Sequence, residues 1–311
     1  MLKKAFGWLS GSIGYLLYVG GVVVLLLWLL FPKETVRRFL EDALTRLYPA
    51  LGWQVGTVAV EMPGVLTLRA IEGFEKGEGK KSAVRIDVLT LQPRIFESLR
   101  AVQLQAGYRM AIGKGNVAGL IRMSGGQKGM QVEGTVRDIQ LAEVPLLNRQ
   151  LGRALHGSLS GSFTATVVPA QAGKAVLEGR VKVENGRVGL KRPILSHTEL
   201  PFSQGTVILH GRDETLRLEQ GMVESDLFDG SFSGTITMRR DPVSSQLDLI
   251  GVMQPKNKFF KGLDNTVAVQ AFRMQLKDQA LPFRITGDLS NPGIHYEEFA
   301  MLFQTLEKEL K

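Results

Sequence analysis

The sequence predicts a mainly β protein: an N-terminal transmembrane helix followed by a curved antiparallel β-meander with a few short helices. Three observations carry this. An uncharged apolar run fills residues 13–31. Period-two alternation governs most of the chain after Trp53. A short motif, apolar-x-Gly-x-apolar, recurs on the alternating segments.

The run from Ile13 to Phe31 reads IGYLLYVGGVVVLLLWLLF. As a helix it spans roughly 28 Å, close to the hydrocarbon thickness of a bilayer. Tyr15 and Tyr18 lie towards one end and Trp28 towards the other, where interfacial aromatics belong. The run is too long for the apolar part of a signal peptide, and no small-residue cleavage site follows it. A retained anchor is therefore expected. Its flanks leave the orientation open. Lys3 and Lys4 precede it, and Lys33, Arg37, Arg38 and Arg46 follow.

Pro32 opens an amphipathic helix over 32–49. Val36, Phe39, Leu40, Ala43, Leu44, Leu47 and Tyr48 fall on one face at steps of three and one. The other face carries Glu34/Arg38, Arg37/Glu41 and Asp42/Arg46 at i,i+4 spacing. Because that face is mixed in sign, packing as a lid on the first strands is expected ahead of lying on a membrane.

The β domain is expected over 50–296. Segment 157–168 alternates cleanly, with Leu159, Gly161, Phe163, Ala165 and Val167 against Ser158, Ser160, Ser162, Thr164 and Thr166. The glycine motif stands at Gly119, Gly134, Gly161, Gly179, Gly234 and Gly287, each time on the apolar side. Glycine repeated down one face lets a sheet curl towards it. The expectation is an open sheet, groove or flattened barrel with an apolar concave side. Glycine supplies 35 of 311 residues, above the usual share of roughly 7%, which suits many strands and tight turns. Turns are expected at Gly113–Asn116, Ser124–Gly126 and Asn291–Gly293. Asn185-Gly186 gives the strongest hairpin signal. Helices are expected over Val144–Leu155 and over the C-terminal segment, 297–311, where Phe299, Leu302, Phe303, Leu306 and Leu310 share a face. Residues 1–12 form a short N-terminal tail.

The chemistry that an enzyme needs is not visible. The chain has no cysteine, which excludes disulfides, thiolate metal sites and a thiol nucleophile. His156, His197, His210 and His295 stand apart from one another and from carboxylates at metal-binding spacing. The glycine-rich stretch at 113–119 runs into a strand where a phosphate loop needs a helix. Asp226 and Asp229 read as turn carboxylates facing water. The net charge of +8 is scattered, with no basic run interleaved with aromatics, so no nucleic-acid partner is expected. No catalytic, cofactor or metal residue is assigned.

Several stretches resemble the type II secretion system protein N (GspN) family, in its longer form. They are Arg94-Ile95-Phe96-Glu97-Ser98-Leu99 with Val102-Gln103-Leu104, and the helix into His156-Gly157-Ser158-Leu159-Ser160-Gly161. Glu199 to Gly205, Asp229 to Ile236 and Ile285 to Pro292 complete the set. The same features are similar to AsmA-like proteins, which share the single anchor and curved β body. The resemblance implies a bacterial inner-membrane protein with a cytoplasmic tail and residues 33–311 in the periplasm. It implies no catalytic residues. Two roles follow from it: a scaffold for other type II secretion components, or a carrier holding phospholipid in an apolar groove. Scaffold is the first expectation. The discriminating feature is whether the apolar face closes on a second layer or stays open.

Overall fold

The computed structural model describes residues 30–61, 64–75, 82–124, 129–167, 175–194, 197–239, 241–260 and 280–296, with Tyr18, Val19, Val22, Gln270 and Met274 singly. The expected C-terminal helix over 297–311 lies outside the described residues, as does most of the 13–31 run. Among the described residues no helix is long and apolar enough to cross a membrane.

Fourteen described strands make one antiparallel sheet in strict sequence order. They are β1 (Leu51–Glu61), β2 (Val65–Glu75), β3 (Ser82–Pro93), β4 (Gln103–Ile112), β5 (Gly115–Ser124), β6 (Met130–Gln140) and β7 (Leu155–Val167), then β8 (Ala175–Ile194), β9 (His197–Arg212), β10 (Thr215–Glu224), β11 (Phe228–Thr237), β12 (Gln246–Pro255), β13 (Leu281–Asp288) and β14 (Asn291–His295). Every neighbour is the next strand in the chain, so each connection is a hairpin-type return. β1 and β14 do not pair, and the sheet stays open. Three described α-helices accompany it: α1 (Lys33–Leu47), α2 (Ile95–Ala101) and α3 (Pro145–Leu151).

Helix α1 takes the expected lid role. Its Val36, Leu40 and Leu44, with Phe31, pack on a cluster of Val55, Val58, Leu68 and Ile71 from β1 and β2. Glu41 is diverted from its expected partner Arg37: its carboxylate accepts the Val55 N–H at 2.9 Å, and Arg37 pairs with Glu34 instead. The carboxylate thereby satisfies a donor of strand β1, which among the described residues has one strand neighbour, β2. A second cluster, centred on Leu218, Leu247 and Leu249, lies under β9–β13.

The sheet is curled. Arg149 of α3 pairs with Glu75 at the end of β2 at 3.1 Å, and the same helix touches the turn Pro242–Ser244 that precedes β12. In a flat sheet β2 and β12 would stand about 48 Å apart. A seven-residue helix is only about 10 Å long. Six of the thirteen ladders carry register shifts, and such bulges bend and twist the strands they interrupt.

Three expectations are corrected. Asn185-Gly186 is no hairpin: β8 runs through it for 20 residues, paired with β7 and β9 on both sides. Asn185 does adopt the left-handed conformation, φ 50°, but it serves a bulge where His156–Ser158 faces Glu184–Arg187. The same residue pair suits both structures. The turn expected at Asn291–Gly293 falls at Leu289-Ser290, and Asn291 already opens β14. The helix expected over Val144–Leu155 is shorter: α3 ends at Leu151, capped by Gly152 in the left-handed conformation, and Leu155 starts β7.

Leu68 is 2% exposed in the α1 cluster, which shares no residue with the Leu218 cluster. Leu68→Ala is expected to cost about 2–5 kcal/mol. Hydrogen exchange should then rise in α1 and β1–β3 while β10–β12 keep their protection.

Candidate functional site

The register of the sheet lines up one row of residues across every strand. In pairing order it reads Val60, Leu66, Leu91, Tyr108, Gly119, Gly134, Phe163, Gly179, Leu209, Leu218, Gly234, Leu249, Ile285 and Ile294. Each member is apolar, aromatic or glycine. Two residues along the strands, or three in β10 where a bulge intervenes, a parallel row reads Leu89, Met110, Val117, Val136, Gly161, Val181, Val207, Gly221, Phe232, Gly251 and Phe283. Since successive side chains point to opposite faces, these rows share a face. A row on the opposite face is polar from β6 to β13, where Glu133, Thr164, Glu178, His210, Arg217, Thr235, Asp248 and Thr286 pair in series; Leu120 continues it into β5, and Ile250 and Val252 lie exposed on the same face.

No second sheet covers the apolar face among the described residues. Its members run from buried (Leu218, Leu249) through half-buried (Phe163, Leu209, Ile285) to exposed (Ile294).

The motif glycines explain how large side chains fit on this face. Gly119 and Gly134 pair directly across β5 and β6. The Tyr108 ring reaches over them from β4, and its hydroxyl donates to the Glu133 carbonyl at 3.1 Å. The Phe163 ring reaches over Gly134 from β7, and a Cβ on Gly134 would fall on the Tyr108 hydroxyl and the Phe163 ring together. Burial pushes the Tyr108 phenol above its ordinary pKa. The same device recurs where Phe232 covers Gly221, and Phe283 covers Gly251. Small and large residues thus alternate across the row and fill one another's space.

The polar groups singled out from the sequence do not converge. His156 and His295 are exposed. The His197 ring nitrogen lies 3.0 Å from the Phe259 carbonyl, and His210 lies 3.2 Å from Glu219. Asp226 and Asp229 do not simply face water. Asp226 pairs with Lys258 and Asp229 with Lys256, both at 2.6 Å, clasping the β10–β11 turn to the segment after β12. The hydrogen bond and charge of Lys258 hold the Asp226 carboxyl below its ordinary value. Among the described residues no three His, Asp or Glu side chains are grouped to hold a metal. Gly113-Lys114 is the two-residue turn of the β4–β5 hairpin, as expected, with Gly113 at φ 54°.

No family model, curated protein or solved structure matches the chain.

Gly134→Val is expected to destabilise by about 1–3 kcal/mol through overpacking. Phe163→Ala should recover part of that loss when combined with it, because the two share one contact. Denaturant unfolding of the four members of this cycle measures the coupling, and strict additivity would contradict the proposed contact.

Proposed function

We propose that this chain is a membrane-anchored, non-catalytic protein that shields the acyl chains of a lipid on the apolar face of its curled sheet. The single observation that carries the reading is the unbroken apolar row from Val60 to Ile294. A sheet that packs on a second layer would bury such a face within the protein. Here the described strands form one sheet, and helix α1 covers the β1–β2 end of its apolar face. The curl supports an apolar concave side, in line with the AsmA-like resemblance. Fourteen strands at about 4.8 Å give a path of roughly 62 Å along the sheet. The uncharged run 13–31 supports a membrane anchor, and the inner membrane with the β body in the periplasm is what the resemblance implies. The lipid reading thus moves ahead of the scaffold reading that the sequence alone favoured.

The second reading, an accessory scaffold of a type II secretion system, rests on the resemblance to GspN and gains one observation. Among the described residues β14 pairs with β13 alone, and its outer edge would suit a partner strand.

The lipid reading is tested on the full chain, purified in detergent and exchanged extensively before extraction. Mass spectrometry should find about one or more phospholipids per chain. Val181→Asp with Val207→Asp places two charges on the apolar face and should strip that lipid. Thr164→Asp with Thr235→Asp, on the polar face, should leave it in place. Equal lipid in all three proteins would mean annular lipid at the anchor and would sink the reading.

A further inference from the structure

Helix α2 is built inside out. It contains no buried residue, although its sequence is mostly apolar. Ile95, Phe96, Leu99, Val102 and Leu104 are all exposed, Phe96 and Val102 at 87%. The helix is held to the sheet by its polar side instead. Ser98 Oγ accepts the Gln105 N–H at 2.9 Å and donates to the Arg94 carbonyl at 2.6 Å. The Arg94 N–H donates to the Gln105 carbonyl at 2.8 Å. The apolar side chains of the helix are thereby left open to solvent, and Leu104 is exposed at the start of β4.

Val102 adds an independent sign. It closes the helix in the left-handed conformation, φ 53° and ψ 36°. Glycine is the ordinary residue there, and a β-branched side chain in that region is strained. The chain keeps a valine at that position, and the side chain lies open to solvent.

The place of this knuckle in the fold says what it meets. Glu41 of α1 stands beside Val55 of β1. Helix α1 runs antiparallel to β1, and ten residues back along it is about 15 Å. That carries Phe31 level with about four to five strand residues beyond Val55, near Val60 and the turn into β2. Phe31 is the last residue of the uncharged run. Leu91 at the end of β3 pairs with Leu66 at the start of β2, and α2 follows β3 directly, so α2 projects from this same end of the sheet. β4 stands three strands from β1, about 14 Å across. Arg94 and Arg100 flank the apolar side chains, and an anionic headgroup region suits them.

The geometry points to α2 with Val102 and Leu104 as a second membrane contact, a knuckle inserted at the surface of the bilayer that the 13–31 run enters. Two contacts fix the tilt of the β body, where a single anchor leaves it free to swing. The inference rests on the anchor reading given above, and the test separates the two.

The chain has no cysteine, so single labels are specific. Phe96→Cys, Val22→Cys and Thr164→Cys are each labelled with an environment-sensitive fluorophore on the full chain. The labelled proteins are reconstituted into vesicles of phosphatidylethanolamine and phosphatidylglycerol carrying nitroxide lipids. The Phe96 label should shift to the blue and lose emission most with headgroup-proximal nitroxides, the depth of an interfacial helix. The Val22 label should be quenched most by deep nitroxides, and the Thr164 label by neither. Quenching at Val22 without quenching at Phe96 would overturn the knuckle and leave the anchor standing. A blue shift at Phe96 without lipid quenching would mean a protein contact, a second copy or another chain, and would also overturn it. Absence of quenching at both positions would sink the anchor reading and the knuckle with it.

Discussion

Because side chains alternate along a strand, the apolar row from Val60 to Ile294 exists only while thirteen successive ladders hold their register. A slip of one residue in any ladder would carry every later strand's apolar set to the polar face. No second sheet is present among the described residues to enforce that register from above. It is enforced within the sheet, by short returns such as Gly113-Lys114 and Asp213-Glu214 and by interlocking of large and small residues. Tyr108 and Phe163 over Gly119 and Gly134 are one such lock; Phe232 over Gly221 and Phe283 over Gly251 are others. These locks act between neighbours, so stability is distributed along the sheet in pieces, as in repeat proteins.

The same glycines tie packing to shape. A residue without Cβ on the apolar face lets a ring lie flat on the backbone of the next strand. It also lets the strands close towards that side. Bulges at Asn185, near Gln220 and between Val136 and Ile139 add local bends. The result brings β2 and the turn before β12 within reach of one short helix. Glycines on the apolar face and the bulges both favour bending of the sheet. An acyl chain asks for both, a continuous apolar track and walls that rise beside it.

Much of this was legible in the sequence. Alternation at 157–168 gave β7 and its two faces correctly, and the six motif glycines all lie in strands. The packing face of α1 could be read from its three-and-one spacing at Val36, Leu40 and Leu44, but Phe39, expected on that face, is exposed. What escaped was decided by partners far along the chain. Asn185-Gly186 carries the local signature of a turn, but β7 and β9 already flank both halves of β8, so the backbone bulges and continues. Glu41 looked like a helix-surface ion-pair partner, yet the Val55 N–H of β1 offered it a backbone donor. Helix α2 was hidden because seven residues give too little periodicity, and its apolar face points outward. The alignment of Gly119, Gly134, Gly179 and Gly234 into one row was not visible either, since the spacing between copies is irregular and only the register aligns them.

The proposal that one face of the sheet meets acyl chains is tested by photocrosslinking in intact membranes. A photoreactive amino acid would be placed at Val136, Val181 or Phe283 on one face, and at Thr135, Arg180 or Thr286 on the other, with lipid adducts sought on the full chain by mass spectrometry. The account predicts phospholipid adducts at the first three positions and none at the second three. Adducts to protein alone at the first three, or equal lipid labelling of both faces, would contradict it.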